Sequence, residues 1–294
     1  MQLFDQITQE LEGKTIAGAD AFKLYDTYGF PIDLTQIIAR ERGLEVDMAG
    51  FEGELEQQRE RSRAAQKKMV IQVSEGGTSD YPATDFIGYD YGALTGQQVE
   101  ILDVIRGEDN DFLVLDKSPF YAEGGGQLGD RGAVDWEGMN YRVLDTRKNA
   151  AGVFFHAVER GEIPGDLKPG SAVASVDVAR RQNISRHHSA THILHWALRE
   201  VLGDSVRQTG SLVQDDYLRF DFAHHEAVSG DQLAAIERIA NEKILENGGV
   251  SWSEVPFDQK PDNVLSFFEE KYGDLVRVVN IDDFSLELCG GTHV

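Results

Sequence analysis

Two pairs of residues have spacings that suit a metal ion. His188 and His192 are four residues apart in a segment of helical periodicity, so both imidazoles lie on one helix face; His195 continues that face. Cys289 and His293 form a second pair, C-x-x-x-H, in which two glycines let the backbone turn tightly. Together they offer three imidazoles and one thiolate, a ligand set typical of Zn²⁺. The ordinary alternatives are a surface or core histidine pair and a small buried thiol.

Composition narrows the class of protein. The chain of 294 residues has 51 Asp and Glu against 28 Lys and Arg, a formal net charge of −23. This balance argues against broad nucleic-acid binding, which needs a basic surface, but allows a local basic track. One cysteine excludes an internal disulfide framework and favours a reducing, cytoplasmic compartment. We expect no signal peptide, no membrane span and no DNA partner.

Three regions of different periodicity must position the metal-binding residues. Residues 1–75 have helical patterns with a break at Gly29-Phe30-Pro31, and a linker of turn-forming residues follows. Residues 85–178 contain short β-rich runs separated by turn residues, which predicts a small antiparallel β-barrel. Residues 179–294 alternate amphipathic helices with paired strands, which predicts helices on an antiparallel sheet. The fold class is therefore predicted to be α+β.

Local signals place the elements of the third region. The histidine-bearing helix is predicted from about Val178, with Gly203 at its C-terminal end. A second amphipathic helix is predicted from Ser229 or Asp231 to Gly248-Gly249. The segments TGSLVQ and YLRFDFAH between these helices predict two paired strands.

A glycine-rich segment, AEGGGQLGDRG at residues 122–132, interrupts the barrel region. Such loops can bind phosphate through backbone N–H groups. This one matches neither the P-loop nor the dinucleotide-binding pattern, so nucleotide binding is not expected. From its residues alone it predicts a wide β-turn.

Longer motifs surround these features. The segments RHHSATHILHWAL, RQTGSLVQDDYLRFDF and ELCGGTHV resemble the editing domain of alanyl-tRNA synthetases and of its free-standing relatives. FKLYDTYGFPIDLT resembles the helical tRNA-recognition segment before that domain, and PFYAEGGGQLGDRG resembles the glycine-rich loop of its barrel. The resemblance is to the bacterial type and runs over nearly the whole chain. It identifies residues 1–75 as the helical tRNA-recognition segment, 85–178 as the barrel and 179–294 as the zinc-binding editing core.

The resemblance implies a hydrolase that removes serine or glycine from mischarged tRNA(Ala). An alanine pocket cannot exclude the smaller glycine and rejects serine poorly, so a second, hydrolytic site is needed. The implied cofactor is Zn²⁺ on His188, His192, Cys289 and His293. We expect the chain to lack the aminoacylation core and the C-terminal domain of the family, and nothing in it resembles an ATP site.

The resemblance also implies site residues beyond the ligands. Thr191, Gln208, Ser211 and Phe222 match positions of the substrate pocket; otherwise they would be surface, strand or core residues. The glycine-rich loop is implied to hold the tRNA end, which makes Gly124, Gly125, Gly126 and Gln127 candidate tRNA contacts. The basic residues Arg180, Arg181 and Arg186 are further candidates, with a solvated helix surface as their alternative.

The mechanism and the activity leave alternatives open. Four protein ligands are typical of a closed zinc site, so the metal either orients the aminoacyl group or polarises water or substrate. The chain is either an editing hydrolase or a zinc-stabilised tRNA-binding fragment without turnover. An unrelated metallopeptidase is disfavoured because Ser189, not Glu, follows His188, so H-E-x-x-H is absent.

Overall fold

The computed structural model describes residues 13–28, 32–55, 81–265, 273–282 and 284–294. These residues form an α+β fold, which confirms the predicted class, and they belong to two units, Met1–Glu75 and Gly76–Val294. The predicted break at residues 29–31 and most of the predicted linker lie outside the described ranges. None of the helices in those ranges has the length and apolar character needed to cross a bilayer.

The first unit is mainly helical in its described part. Its helices enclose a small apolar core around Ile16, Leu24 and Phe51, all of which are buried. Two short strands pair in parallel at its edge. Its elements are β1 (Thr15–Ile16), α1 (Gly18–Tyr28), α2 (Ile32–Glu41), β2 (Glu45–Val46) and α3 (48–55).

The second unit begins with an antiparallel sheet of seven strands and a separate pair of short parallel strands, β3 (Asp85–Phe86) and β6 (Lys117–Ser118). The seven strands are β4 (Gln97–Arg106), β5 (Asn110–Leu115), β7 (Gly132–Trp136), β8 (Met139–Val143), β9 (Asp145–Lys148), β10 (Phe154–Glu159) and β11 (Ser171–Val176). Across the sheet they lie in the order β8-β7-β11-β4-β5-β10-β9.

The sheet curls until it is nearly closed. Its two edge strands, β8 and β9, are consecutive in the chain and are separated only by Leu144. The Leu144 amide donates to the Ala157 carbonyl at 2.8 Å, so the chain passes from one edge of the sheet to the other without a loop. Apolar side chains such as Trp136 and Phe120 fill the interior. The expected barrel is therefore present as a nearly closed antiparallel sheet.

The remaining residues place helices beside two small antiparallel sheets. The predicted helix starts are confirmed: Asp177 caps the first helix and Ser229 caps the second in a capping box. Asn247, in the left-handed region, ends the second helix one residue before the predicted glycine. The elements are α4 (Val178–Leu202), β12 (Arg207–Val213), β13 (Leu218–Ala223), α5 (Gly230–Glu246), β14 (Val250–Pro256), β15 (Leu275–Ile281) and β16 (Ser285–Leu288).

A buried ion pair ties α4 to the barrel. Arg181, 2% exposed, donates through Nε to Asp130 Oδ2 at 2.8 Å. Its other two nitrogens donate to the carbonyls of Gly88 and Pro119 at 2.7 and 3.0 Å. The guanidinium therefore has bonds on all three nitrogens, which a buried charge requires. The N-terminal turn of α4 is held against two barrel loops by this contact.

The barrel contains a histidine whose burial should make stability depend on pH. His156 is fully buried, with Nδ1 donating to the Leu113 carbonyl at 3.0 Å and Nε2 accepting from Ser118 Oγ at 2.7 Å. Burial lowers the pKa of His156 from 6.5 to about 4, although the bond to Leu113 opposes this change. The unfolded chain therefore binds more protons below pH 6.5, and stability should fall with pH until about pH 4.

We predict that His156 destabilises the fold by an amount on the order of 2 kcal/mol at pH 4.5 relative to pH 7.5. The free energy of unfolding, measured with urea across this pH range, should depend less on pH in His156→Gln than in the wild type. The exposed His225 provides the matched control, and His225→Gln should leave the dependence unchanged. An equal dependence of the unfolding free energy on pH in wild type and His156→Gln would contradict the prediction.

Candidate metal centre and adjoining cavity

The two residue pairs that the sequence singled out meet in space. His188 and His192 project from α4, and their rings stack at 5.5 Å between centroids with an interplanar angle of 9°. Cys289 and His293 lie in the segment that follows β16. One ligand atom from each of the four residues lies within 4.8 Å of the others, and His188 Nε2 is 3.3 Å from Cys289 Sγ.

Backbone geometry explains the glycines between Cys289 and His293. A Cβ atom on Gly291 would lie 2.0 Å from His188 Cε1, so any side chain there would displace the imidazole. Gly290 has open space around its Cα. The close approach of the segment to α4 therefore requires glycine at one of the two positions.

An arginine holds the same segment from the other side. Arg277 donates to the carbonyls of Cys289 and Gly291 at 3.1 and 2.7 Å. Its guanidinium lies over the rings of Tyr89 and Trp252, 4.1 and 4.7 Å from their centroids. Burial lowers the pKa of Arg277, whereas the neighbouring Tyr89 and Cys289 oppose this change. The guanidinium therefore remains a cation suited to this stacking.

A buried carboxylate links two histidines of α4. Glu287, 5% exposed, accepts from His192 Nδ1 at 2.6 Å and from His195 Nδ1 at 2.9 Å. Burial raises the pKa of Glu287, but the two imidazoles lower it to about 2, so the group is a carboxylate at neutral pH. Glu287 was not among the site residues predicted from the sequence; an acidic residue at an inward position of an otherwise apolar strand is the signal that could have indicated it.

A buried carboxamide contacts the opposite side of the cluster. Gln127, fully buried, accepts through Oε1 from His188 Nδ1 at 2.8 Å and from the Thr292 amide at 2.9 Å. Its Nε2 donates to Thr292 Oγ1 at 3.0 Å. The side chain predicted to contact tRNA therefore has its polar atoms in the protein interior.

The residues present fit a zinc ion. Nε2 of His192 and Nε2 of His293 are buried, and neither has a hydrogen-bond partner in the described part of the chain. Buried polar atoms without partners are uncommon and indicate a missing ligand. Burial raises the pKa of Cys289, but His188 and the other imidazoles lower it well below the ordinary value, which favours the thiolate that binds metals. Three imidazole nitrogens and a thiolate are a usual zinc ligand set.

A cavity of about 500 Å³ adjoins the cluster. His188, His192 and Cys289 line it, as do the predicted pocket residues Thr191, Gln208 and Ser211. The Thr191 hydroxyl donates to the His187 carbonyl at 2.8 Å, which leaves its oxygen as an acceptor. Further lining residues that the sequence analysis did not select are Asp85, Tyr89, Tyr121, Lys148, Phe220 and Glu254.

The aromatic residue from β13 at this cavity is Phe220 rather than Phe222. Phe220 lines the cavity, and its ring is 5.3 Å from that of His195. Both phenylalanines pack against the apolar cluster around Ala197 and Leu198, but Phe222, two residues along the strand, is not among the residues that line the cavity. Phe220, which lies on the same strand face as Phe222, is therefore the phenylalanine of β13 that borders the cavity, and the pocket-wall role of Phe222 stays a prediction.

Two of the three arginines proposed as tRNA contacts are buried. Arg181 makes the ion pair with Asp130, and Arg180 donates to the Gly129 carbonyl at 2.8 Å with 8% exposure. Their guanidinium groups hold α4 to the glycine-rich loop, so the alternative of a solvated helix surface is wrong for both, and their contact with tRNA stays a prediction. Arg186 is exposed and contacts Asn183 on its own helix.

The glycine-rich loop forms a tight turn at the cavity. Gly124 and the backbone of Gln127 exchange hydrogen bonds of 3.1 and 3.0 Å. Gly125 and Gly126 have φ angles of 58° and 85°, which glycine adopts readily. A Cβ on Gly126 would lie 2.3 Å from Ser211 Oγ, so the loop approaches β12 too closely for a side chain. Gly124 and Gly125 line the cavity.

Comparison with known proteins decides the family. A family profile described as "tRNA synthetases class II (A)" matches residues 1–180. The alanine–tRNA ligase of Opitutus terrae is 48% identical over 98% of this chain, and that of Methylacidiphilum infernorum is 43% identical over all of it. The chain belongs to the alanyl-tRNA synthetase family.

The match also shows which part of the family is represented. A second profile, "Threonyl and Alanyl tRNA synthetase second additional domain", matches residues 276–294, which contain Cys289 and His293. The chain spans 30% of the Opitutus terrae alanine–tRNA ligase and 31% of the Methylacidiphilum infernorum one. The ligand pair at residues 289–293 thus falls within a domain that alanyl-tRNA synthetases share with threonyl-tRNA synthetases.

We predict that Gly291→Ala weakens zinc binding by at least tenfold, because its methyl group would displace the His188 ring. Competition with a chromophoric chelator measures this affinity directly. Gly290→Ala is the matched control, since it adds the same methyl group into open space and should bind zinc as wild type does. Equal affinities for the two variants would show that His188 is not a ligand.

Proposed function

We propose that this chain is the editing region of an alanyl-tRNA synthetase, an aminoacyl-tRNA deacylase module acting on Ser-tRNA(Ala) or Gly-tRNA(Ala) in the cytoplasm. The observation that carries the proposal is a cluster of metal-ligand residues opening directly onto a cavity with several polar groups. We assign residues 1–75 to tRNA recognition, 85–178 to the barrel subdomain and 179–294 to the editing core.

The dimensions and polarity of the cavity support this substrate class. A volume of about 500 Å³ lies within the usual range for small-molecule sites and suits an aminoacyl group with its terminal ribose. Thr191, Gln208 and Ser211 provide hydroxyl and amide groups that a serine side chain can satisfy. An alanine methyl would leave such groups unpaired, and unpaired buried polar groups cost binding energy. The cavity would thus retain serine and release alanine.

The chain's own residues suffice for most of the proposed mechanism. His188, His192, Cys289 and His293 would hold a zinc ion, which supplies Lewis-acid polarisation of an adjacent carbonyl or water when bound. Thr191, Gln208 and Ser211 orient the amino acid. The aminoacyl ester is already activated, so placing a water beside its carbonyl accounts for a large part of the rate.

Aromatic side chains limit access of bulk water. Phe220, Tyr121 and Phe154 line the cavity. Burial raises the pKa of Tyr121, so its hydroxyl remains protonated and donates to the Gly124 carbonyl at 2.9 Å. This bond fixes the glycine-rich turn at the cavity. We propose that the backbone of Gly124 and Gly125, rather than the Gln127 side chain, faces the tRNA terminus.

The test is release of serine from purified Ser-tRNA(Ala), with Ala-tRNA(Ala) as control and zinc measured in the same preparation. We expect serine-selective release with about one zinc per chain, by the four-ligand stoichiometry. Cys289→Ala should lose both zinc and activity, whereas Lys168→Ala, at an exposed position outside the cavity, should keep both. A Cys289→Ala protein that lacks zinc but deacylates fully would overturn the mechanism. Zinc without release in wild type would favour a tRNA-binding fragment without turnover.

A further prediction concerns the contact with the tRNA backbone. Lys148 is the sole lysine or arginine among the described residues that line the cavity, and it lies beside Gly124. We predict that Lys148→Ala raises KM for Ser-tRNA(Ala) about five- to tenfold with little change in kcat, because it removes a phosphate contact.

The control for this effect is Lys168→Ala, which removes the same charge from an exposed position outside the cavity. Because a phosphate contact is screened by salt, the difference between the two variants should shrink at high ionic strength. Equal KM values at low salt would exclude Lys148 from the tRNA site. A loss confined to kcat would instead assign it to the chemical step.

A further inference from the structure

Gln127 is a fully buried carboxamide between the two halves of the ligand cluster. Its Oε1 accepts from His188, which belongs to the helical pair, and from the Thr292 amide, which precedes His293 in the second pair. Thr292 Oγ1 in turn lies 2.8 Å from Ser185 Oγ on α4. One side chain of the barrel loop therefore contacts both segments that supply the ligands.

The chemistry of this contact selects one form of the His188 ring. A carboxamide oxygen can only accept hydrogen bonds, so Nδ1 of His188 must carry the proton in their 2.8 Å bond. In the neutral ring, Nε2 is then the nitrogen with a lone pair for a metal, and it faces Cys289 Sγ at 3.3 Å. Hydrogen bonding at one imidazole nitrogen commonly sets which nitrogen binds a metal.

The position of Gln127 is itself fixed by backbone bonds. The Gly126 carbonyl accepts from the Val213 amide at 2.8 Å, and the Leu128 amide donates to the Val213 carbonyl at 3.1 Å. These bonds flank Gln127 and attach its loop to β12, the strand that carries Gln208 and Ser211. The glycine-rich turn, the polar wall of the cavity and the ligand cluster thus share one hydrogen-bonded framework.

We infer that Gln127 is a positioning residue that holds His188 with its proton on Nδ1 and secures the Thr292–His293 segment, so that the glycine-rich loop completes the metal centre. The inference rests on the proposed function for the identity of the metal. The expected position of the proton on His188 applies to the zinc-free protein as well. The role of Gln127 and the proposed metal centre can therefore be tested separately.

The first measurement uses wild-type protein without zinc, labelled with ¹⁵N at histidine. Long-range proton–nitrogen correlation spectra distinguish the two neutral forms of an imidazole, and the His188 signals are assigned by their loss in His188→Gln. We expect a proton on Nδ1 that exchanges slowly with water. A His188 ring that carries a proton on Nε2 and none on Nδ1 would overturn the inference without any Gln127 variant.

The second measurement is zinc affinity by chelator competition in two variants. Gln127→Met keeps the length of the side chain but removes its acceptor, and we expect a 10- to 100-fold loss of affinity. Gln127→Glu keeps an acceptor oxygen for His188 and Thr292, so its loss should be about threefold or less. Gln98→Met, on the exposed surface of the same barrel, should bind zinc as wild type does.

The outcomes separate the two proposals. Wild-type affinity in Gln127→Met, with unfolding by urea unchanged, would overturn the positioning role while leaving the metal centre intact. Equal losses in Gln127→Met and Gln127→Glu would also overturn it, because a general packing defect would explain them. Absence of zinc binding by wild type would refute the proposed metal centre, and the ¹⁵N spectra would still decide the role of Gln127.

Discussion

The arrangement of the site depends on a buried carboxylate shared by two imidazoles. Glu287 on β16 bonds to His192 and His195, which lie one helical turn apart on α4. A carboxylate removed from water is strongly unfavourable unless its oxygens are paired, so these bonds determine where β16 can lie. Cys289 follows two residues later, and its distance from His192 is set by the same contact. The ligand cluster is therefore a consequence of how the strand docks on the helix.

Three segments that are far apart in sequence converge on this point. Gln127 comes from the barrel loop, His188 and His192 come from α4, and Cys289 and His293 come from the segment after β16. His188 and Cys289 are 101 positions apart, so their contact closes a long loop and is entropically costly. Buried hydrogen bonds from Arg181, Arg277 and Gln127 offset that cost before any metal binds. A zinc ion bound only by the folded chain would add stability that grows with the logarithm of its concentration relative to its dissociation constant.

Periodicity and spacing predicted the parts of the site that lie within one element. The helical period placed His188 and His192 on one face of α4, and strand patterns predicted the curled antiparallel sheet. Such patterns could not predict the contacts between different elements. Arg181 is buried because Asp130 meets it across the barrel interface, and nothing in its neighbourhood in sequence indicates this. Similarly, Phe220 and Phe222 share a strand face, and only the position of His195 beside Phe220 decides which one borders the cavity. From the sequence alone Gln127 is a loop residue. Its side chain nevertheless lies in the interior, because His188 and the Thr292 amide donate hydrogen bonds to it there.

Charge sets a last constraint on the proposed function. The chain has a formal net charge of −23, whereas the proposed substrate is a polyanion, so the general field of the protein opposes association. Asp85, Glu254 and Glu287 even place carboxylates around the cavity itself. In the proposed function, tRNA binding would then depend on local groups, namely Lys148 and the backbone of the glycine-rich turn, together with tRNA contacts made by other parts of a synthetase. If the proposed function holds, such a balance would favour brief occupancy: an acceptor end carrying alanine would find few compensating bonds and leave, whereas one carrying serine would gain the polar contacts that hold it long enough for hydrolysis.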